Sequence, residues 1–197
     1  MKIGLDMDEV LAQFLATFII YHNDKYNTNH RLEDIDEFEL WKVWGGKKGE
    51  IGERIKQFIK DGGVSSLSPV PNAQKIIMEL KKDHELFVIT ARHDSGRLLT
   101  EKWLEEHYPE AFMDVHFSND SHKDNESQKS KADICTELGI DIMVEDSYEF
   151  AHTIASVNIP VLLLDYSWNR NKPPTHNIYR VYSWNDIPRK INSIHNV

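Results

Sequence analysis

Residues 2–12 of the chain read KIGLDMDEVLA, a short apolar run that ends at two carboxylates, Asp6 and Asp8. In extended backbone, residues i and i+2 point to the same side, so both acids can face one small volume just past a strand end. Open α/β sheets bind their ligands at such strand ends. Two close carboxylates repel each other unless a cation or a shared proton lies between them. The stretch therefore fits a site for a metal ion and a phosphoryl group, or equally an acidic turn.

The length, charge and cysteine content of the chain limit the kinds of protein it can be. With 197 residues, 40% of them hydrophobic, the chain can form one domain, or one domain that carries a modest insertion. Its formal net charge of -9 and its lack of a Lys/Arg-rich block argue against a nucleic-acid polymer as partner. The single cysteine, Cys135, excludes a disulfide framework and a multi-cysteine zinc site. No stretch predicts a signal peptide or a membrane span, so we expect a cytoplasmic protein with no membrane partner.

Apolar strand-like runs alternate with amphipathic helical stretches along most of the chain. This order is typical of a parallel sheet with right-handed crossovers, and it predicts a three-layer, Rossmann-like α/β fold. A polar stretch without periodicity, residues 118–130, is predicted to be a surface loop. The strands are predicted at residues 2–5, 85–90, 113–117, 141–145, 160–164 and 178–182.

Residues 14–70 differ in character from the rest of the chain. They are acidic at first, then aromatic, and glycine pairs interrupt them at residues 45–46 and 62–63. A helix predicted over residues 9–26 leads into this stretch. We interpret residues 14–70 as a helical insertion and residues 1–13 with 71–197 as the core domain.

A further set of polar groups is predicted beside Asp6 and Asp8, at the carboxyl ends of two later strands and at the start of the helix that precedes the second of them. Carboxylate oxygens hold Mg²⁺, hydroxyl and ammonium groups hold phosphate oxygens, and a carboxylate can attack phosphorus. The set therefore matches the needs of metal-assisted phosphoryl transfer. Its members are Thr90, Lys131, Glu145 and Asp146.

These motifs resemble those of the haloacid dehalogenase superfamily of phosphatases. The DMDEV of residues 6–10 is similar to its first motif, Asp-x-Asp-x-Thr/Val, and Thr90 is similar to its hydroxyl residue after the second motif strand. Lys131 matches its motif lysine, although Lys129 competes for that position, and the EDS of residues 145–147 matches its acidic last motif. The four motifs occur in the family's order, and the resemblance covers nearly the whole chain. It implies a core of the haloacid dehalogenase type with a small helical cap after the first strand.

The resemblance also implies roles for the acids. Asp6 would be the nucleophile that forms an aspartyl-phosphate, and Asp8 would be the general acid for the leaving group and then the base for water. Mg²⁺ would be held by Asp6, by the backbone carbonyl of Asp8 and by Asp146. Glu145 would lie next to the metal ion, as a further ligand or behind the ligands.

The substrate-binding groups follow from the same resemblance. Thr90 and Lys131 would bind the phosphoryl oxygens. Arg92 either contacts the substrate or pairs with a neighbouring acid, and we favour the substrate. Phe14 and Phe18 could stack on a nucleobase, because aromatic faces suit any base, although most aromatic residues of the insertion are expected to form its own core.

Among capped members, the chain is most similar to the 5'(3')-deoxyribonucleotidase-like nucleotidases. The likeness rests on the insertion, on ITAR at residues 89–92 and on LDYSWNR at residues 164–170. Ala91 departs from it, since deoxyribonucleotidases carry a hydroxyl residue there. The expected activity is Mg²⁺-dependent hydrolysis of a small phosphomonoester, a nucleotide in the first place, with a sugar phosphate as the alternative. A non-catalytic phosphate-binding module ranks low, because Asp8 and the motif lysine are both present.

Overall fold

A computed structural model describes residues 1–118, 129–173 and 175–195. Its strands in these ranges form one sheet of six parallel strands in the order β3-β2-β1-β4-β5-β6. The predicted α/β fold class is thus confirmed, while most of the predicted loop, residues 119–128, lies outside the described residues. The strands are β1 (Lys2–Leu5), β2 (Glu85–Thr90), β3 (Asp114–Phe117), β4 (Ile142–Glu145), β5 (Val161–Leu164) and β6 (Ile178–Val181).

Helices pack on both faces of the sheet, because successive residues of each buried strand point to opposite sides. In β2, Leu86 and Val88 belong to one apolar cluster, whereas Phe87 and Ile89 belong to a second. None of the helices in the described ranges is long and apolar enough to cross a membrane. The helices are α1 (Phe14–Tyr26), α2 (Leu40–Trp44), α3 (Lys48–Lys60), α4 (Ala73–Leu80), α5 (Arg97–His107), α6 (Lys131–Leu138), α7 (Tyr148–Ser156), α8 (Ser167–Arg170) and α9 (Ile187–His195).

The central strand β1 determines where a ligand can bind. Leu5 of β1 pairs with Val88 of β2 on one side and with Val144 of β4 on the other. The chain builds β2 and β3 on one side of β1 and then crosses to build β4, β5 and β6 on the other. The strand order therefore reverses between β1 and β4, and the crevice beyond their carboxyl ends is the usual ligand site of such sheets.

The segment between β1 and β2 leaves and rejoins the sheet at one place. Gln13 N–H donates to the carbonyl of Ser68 at 2.9 Å, and Val70 N–H donates to the carbonyl of Leu11 at 2.9 Å. Residues 11–13 and 68–70 thus lie side by side, and we call this pair of segments the neck. Helices α1 to α3 lie between its two halves. The division of the chain into a core and an insertion at residues 14–70 stays a prediction.

The predicted start of the first helix at residue 9 is wrong, because α1 begins at Phe14. Glu9 has a φ of 61°, in the left-handed region, and helical backbone cannot pass through that conformation. The N–H groups of Leu11 and Ala12 both donate to the carbonyl of Met7, at 2.9 Å each. Residues 9–13 therefore form a turn that redirects the chain from the sheet into α1.

Candidate active site

Asp6 lies directly beyond β1, with its carboxylate buried between β1 and α6. Its N–H donates to the carbonyl of Val144 at 3.0 Å, which continues the pairing with β4 by one residue. Its Oδ1 lies 2.8 Å from Nζ of Lys131. Burial raises the pKa of Asp6 to about 7, although the Lys131 ammonium acts in the opposite direction.

The lysine of this site is Lys131, at the first turn of α6. Ser130 caps the helix, since its Oγ accepts the N–H of Asp133 at 3.1 Å, and this cap fixes where α6 begins. The Lys131 ammonium is buried and binds both Asp6 and Glu145. Burial opposes its charged form, but these two carboxylates raise the pKa of Lys131 above its ordinary value. Lys129 instead forms an exposed ion pair with Glu137 at 2.6 Å.

Glu145, the last residue of β4, is held by the backbone that follows it. Its Oε2 accepts the N–H groups of Asp146 at 2.8 Å and Ser147 at 2.9 Å, and its Oε1 accepts from Lys131. These contacts use much of the hydrogen-bonding capacity of the carboxylate. Glu145 therefore fixes the position of Lys131 and of the turn into α7.

Asp146 is held from the other side by the short helix α8. Oδ2 of Asp146 accepts the indole N–H of Trp168 at 3.1 Å, and its backbone carbonyl accepts from the side-chain amide of Asn169 at 2.7 Å. Burial, followed by the charges of Glu145 and Asp6, raises the pKa of Asp146 well above its ordinary range. Both of these hydrogen bonds come from uncharged groups of α8.

Oxygens of Asp6, Glu145 and Asp146 lie within 4.8 Å of one another, and all three residues are buried. Among the described residues, this cluster combines three carboxyl groups with the ammonium of Lys131, which contacts two of them, so acidic groups are in excess. Hard oxygen donors that converge in this way are the ligands that divalent cations such as Mg²⁺ take. The cluster is therefore chemically suited to hold a metal ion.

Asp8 pairs with Arg92, the second residue after β2. Nε of Arg92 donates to its Oδ2 at 2.9 Å, and Nη2 of Arg92 donates to its Oδ1 at 2.5 Å. The carboxylate of Asp8 is thus paired with Arg92 and does not belong to the acidic cluster, and the metal role predicted for its backbone carbonyl stays a prediction. Thr90 ends β2, is buried, and accepts the backbone N–H of Arg92 at 3.2 Å.

Arg92 pairs with a neighbouring acid, which is the second of the two interpretations of the sequence. Its Nη1 also donates to Oγ1 of Thr100 at 3.1 Å. The predicted contact between Arg92 and substrate phosphate stays a prediction. The same holds for phosphate binding by Thr90 and Lys131.

The two phenylalanines of α1 have different surroundings. Phe18 is fully buried, with ring centroids 5.4 Å from Phe58 and 5.8 Å from Trp44, so its packing supports a role in the apolar core. Phe14 is only partly buried and stacks on Phe18 at 5.8 Å. A contact with the substrate by either ring stays a prediction, and Phe14 has the more accessible surface.

Several residues around the site had no assigned role in the sequence analysis. Glu9 is buried beside Asp8, burial raises its pKa to about 8, and its Oε1 accepts the N–H of Leu15 at 2.5 Å. Tyr166 donates its hydroxyl to the carbonyl of Glu9 at 2.8 Å and stacks on Trp168, with ring centroids 4.4 Å apart. Tyr166 and Trp168 follow β5, so their position at a strand end was the available signal.

The family model for the 5' nucleotidase, deoxy (Pyrimidine), cytosolic type C proteins matches residues 1–195. The chain belongs to this family. It is 28% identical over 187 residues to a nucleotidase of Clostridium acetobutylicum, covering 95% of this chain and 91% of that one. It is 25% identical over 195 residues to a 5'(3')-deoxyribonucleotidase of Bacillus subtilis, covering 96% and 97%.

Solved structures of the haloacid dehalogenase type share the fold. A hydrolase of this type from Streptococcus pneumoniae has a TM-score of 0.69 at 13% identity, with 96% of this chain and 97% of that one covered. A protein of this type from Bacillus subtilis, solved with bound magnesium, has a TM-score of 0.63 at 13% identity, with 97% and 98% covered. The chain therefore has the fold of the haloacid dehalogenase-type hydrolases, and its nucleotidase family makes it an enzyme, as its motifs predicted.

Proposed function

We propose that the chain is a Mg²⁺-dependent nucleotidase that hydrolyses a nucleoside monophosphate to a nucleoside and inorganic phosphate. The observation that carries the proposal is the convergence of Asp6, Lys131 and Asp146 beyond β1 and β4. The names of the nucleotidase of C. acetobutylicum and the deoxyribonucleotidase of B. subtilis support the substrate class. The phosphoryl group would lie between Asp6 and Asp8, where Lys131 and Thr90 can bind its oxygens.

The acidic cluster would hold the metal ion. Asp6, Asp146 and the backbone carbonyl of Asp8 are the proposed Mg²⁺ ligands, with Glu145 beside them. The donor set supports this assignment, because its buried carboxylates carry more negative charge than Lys131 offsets. When bound, Mg²⁺ would offset the charge on the phosphoryl oxygens during transfer.

In the first chemical step, an oxygen of Asp6 attacks phosphorus. A bond forms between that oxygen and phosphorus, and the bond from phosphorus to the ester oxygen breaks, with its electron pair staying on the ester oxygen. Asp8 donates a proton to this oxygen, and the nucleoside leaves as an alcohol. Lys131, 2.8 Å from Asp6, favours the carboxylate form of the attacking group.

In the second step, water attacks the phosphorus of the aspartyl-phosphate. Asp8, now a carboxylate, accepts a proton from the water, and the bond between phosphorus and the Asp6 oxygen breaks. Inorganic phosphate leaves, Asp6 is again a carboxylate, and Asp8 again carries its proton. The net reaction consumes one water for each phosphomonoester.

Residues 14–70 would act as a cap that covers the site and contacts the nucleoside. Phe14 is the proposed contact with the base, because it begins α1 close to the turn after Asp8 and is partly exposed. Closure of such a cap excludes water other than the attacking one. The nucleoside, rather than the phosphate, would then determine which substrate is accepted.

A panel of phosphomonoesters tests the proposal. Purified protein is assayed for phosphate release from 5'- and 3'-nucleotides, with deoxyribose and ribose, and from sugar phosphates, in Mg²⁺ or in EDTA. We expect release from at least one nucleotide in Mg²⁺ and none in EDTA. Asp6→Asn should lower kcat by at least about 10³-fold, because it removes the nucleophile.

The matched control is Asp24→Asn, since Asp24 is an exposed acid on α1 outside the cluster. It should retain the activity of the natural chain. Full activity of Asp6→Asn would contradict the mechanism. Activity on sugar phosphates alone would contradict the nucleotide as substrate and leave the mechanism in place.

A further inference from the structure

We propose that Arg92 is a positioning residue that acts through Asp8. Its guanidinium would hold the Asp8 carboxyl group on the leaving-group side of the site, away from the acidic cluster around Asp6. The inference rests on the proposed function, because it gives Asp8 the proton transfers described there. In this role Arg92 orients the general acid Asp8 and does not bind the substrate phosphate.

The contact between Arg92 and Asp8 is a side-on pair with two parallel hydrogen bonds, at 2.9 and 2.5 Å. Two bonds to two different oxygens fix both the direction and the rotation of a carboxyl group, which a single bond does not. Each carboxylate oxygen has two lone pairs, so each still has one open for a proton. The Asp8 side chain is 31% exposed, so part of it remains accessible while it is paired with Arg92.

Arg92 is itself fixed at both of its ends. Its backbone N–H donates to Thr90 Oγ1 at 3.2 Å, and its Nη1 donates to Oγ1 of Thr100 at 3.1 Å. Thr100 is a buried residue of helix α5, so the guanidinium is held by a residue of the protein interior. The side chain of Arg92 is only 13% exposed. Asp8 is therefore oriented by a rigid partner and not by a mobile surface arginine.

The charge distribution shows why Asp8 needs such a partner. Asp6, two residues away, belongs to a cluster in which three carboxylates face one ammonium. Without Arg92, Asp8 would compete for Lys131 or for the cation, and its carboxyl group would then leave the position from which it can reach the ester oxygen. Arg92 supplies the second cation that keeps the two aspartates in separate positions.

The two possible roles of Arg92 predict different kinetics. A residue that orients the general acid matters most for a leaving group that needs a proton, such as the 5'-hydroxyl of a nucleoside. It matters little for p-nitrophenolate, which leaves without one. A residue that binds the phosphoryl group affects both substrates equally and also affects inhibition by inorganic phosphate.

The test compares Arg92→Gln and Arg92→Lys with the natural chain, on a nucleotide and on p-nitrophenyl phosphate. For Arg92→Gln we expect kcat/KM to fall about 10- to 100-fold on the nucleotide, as for the misplacement of a general acid, and less than about 3-fold on p-nitrophenyl phosphate. Arg92→Lys should be intermediate, because an ammonium cannot form the side-on pair. The inhibition constant for inorganic phosphate should stay within about twofold in both variants, because in this role Arg92 contributes nothing to the free energy of phosphate binding.

Controls keep the test decisive. The ratio of the two kcat/KM values from one preparation does not depend on the fraction of folded protein, so a partly unfolded variant is still informative. Arg31→Gln removes a second side-on arginine–aspartate pair, with Asp34 at 3.1 Å for both bonds, from an arginine that is 60% exposed. It should not change the ratio. Thr100→Val, which releases Arg92 at one end, should change it in the same direction as Arg92→Gln but less.

An equal loss on both substrates together with weaker inhibition by phosphate would overturn the inference and make Arg92 a phosphate-binding residue. If p-nitrophenyl phosphate is not a substrate, a raised phosphate inhibition constant overturns the inference, and an unchanged constant with a lowered kcat on the nucleotide supports it. Failure of the natural chain to hydrolyse any phosphomonoester would instead contradict the proposed function itself.

Discussion

The hydrogen bond between the Trp168 side chain and the Asp146 carboxyl group predicts a measurable effect on metal binding. The indole N–H of Trp168 donates to Oδ2 of Asp146 at 3.1 Å. Trp168→Phe keeps a ring against Tyr166 and removes this donor. Groups that orient a metal ligand typically contribute 10- to 100-fold to metal affinity, so we expect Mg²⁺ affinity to fall by about 10-fold.

Isothermal titration with Mg²⁺ measures this affinity without an activity assay. The control is Trp103→Phe, which removes an indole hydrogen bond of 2.9 Å to the Leu67 carbonyl, outside the cluster. It should leave Mg²⁺ affinity unchanged. Equal affinities for Trp168→Phe and the natural chain would show that Asp146 is oriented without the indole.

Among single residues, the sequence predicted the charged groups of the site but not the residues that hold them in place. Asp6, Lys131 and Asp146 follow from strand ends and motif spacing, and the structure brings them together. The choice between Lys129 and Lys131 depended on the cap made by Ser130, which spacing alone does not reveal. The pairing of Arg92 with Asp8 depends on the parallel pairing of β1 with β2, which brings together the segments after these strands, and that is a property of tertiary packing.

The first turn of α1 depends on a carboxyl group from outside the helix. Oε1 of Glu9 accepts the N–H of Leu15 at 2.5 Å, a group that would otherwise lack a partner at the helix start. Glu9→Ala loses this cap and keeps the left-handed φ, so it should destabilise the protein by about 1 kcal/mol. Glu9→Gln retains an acceptor oxygen and should stay closer to the natural stability. Urea unfolding of both variants measures the difference.

The control for the backbone term is Glu9→Gly, because glycine adopts a φ of 61° without steric cost. The glycine variant loses the hydrogen bond to Leu15 but avoids the steric cost of a side chain at this φ. Its free energy of unfolding should therefore be higher than that of Glu9→Ala. If the alanine variant were as stable as the glutamine variant, the Leu15 contact would contribute nothing. The same left-handed residue explains why apolar periodicity placed the helix start at residue 9, since periodicity carries no information about the sign of φ.

For the molecule as a whole, a buried histidine on α1 predicts a loss of stability in acid. His22 is fully buried, Nη1 of Arg54 donates to its Nε2 at 2.8 Å, and its Nδ1 lies 2.9 Å from Oγ1 of Thr28. Burial, then the charges of Arg54 and His30, lower the pKa of His22 to about 4 from 6.5. Between these values the unfolded chain binds a proton that the folded chain does not, so stability falls as the pH falls through this range.

Thermal unfolding across this pH range checks the prediction. The natural chain should lose Tm steadily below pH 6.5, and His22→Gln should lose less, because its amide can replace both hydrogen bonds without titrating. His152→Gln, at an exposed position, should behave like the natural chain. Parallel curves for His22→Gln and the natural chain would rule out His22 as a source of the acid sensitivity.

The sequence predicted the parallel sheet and its six strands, but not their order. Alternation of strands and helices indicates a class of fold because each buried strand needs apolar residues on both faces. It does not indicate on which side of β1 a later strand pairs, and that choice places Glu145 and Asp146 next to Asp6. The long-range pairing of β1 with β4 is thus the part of the fold on which the site depends most.

The neck determines how much a change in the segment between its two halves would cost. Residues 11–13 and 68–70 are hydrogen-bonded side by side. The residues between them therefore form a loop whose two ends are joined next to the sheet. Lengthening such a loop costs little, since closure entropy grows only with the logarithm of its length. The segment between the two halves of the neck can therefore change in length or sequence at little cost, while Asp6, Lys131 and Asp146 keep their relative positions.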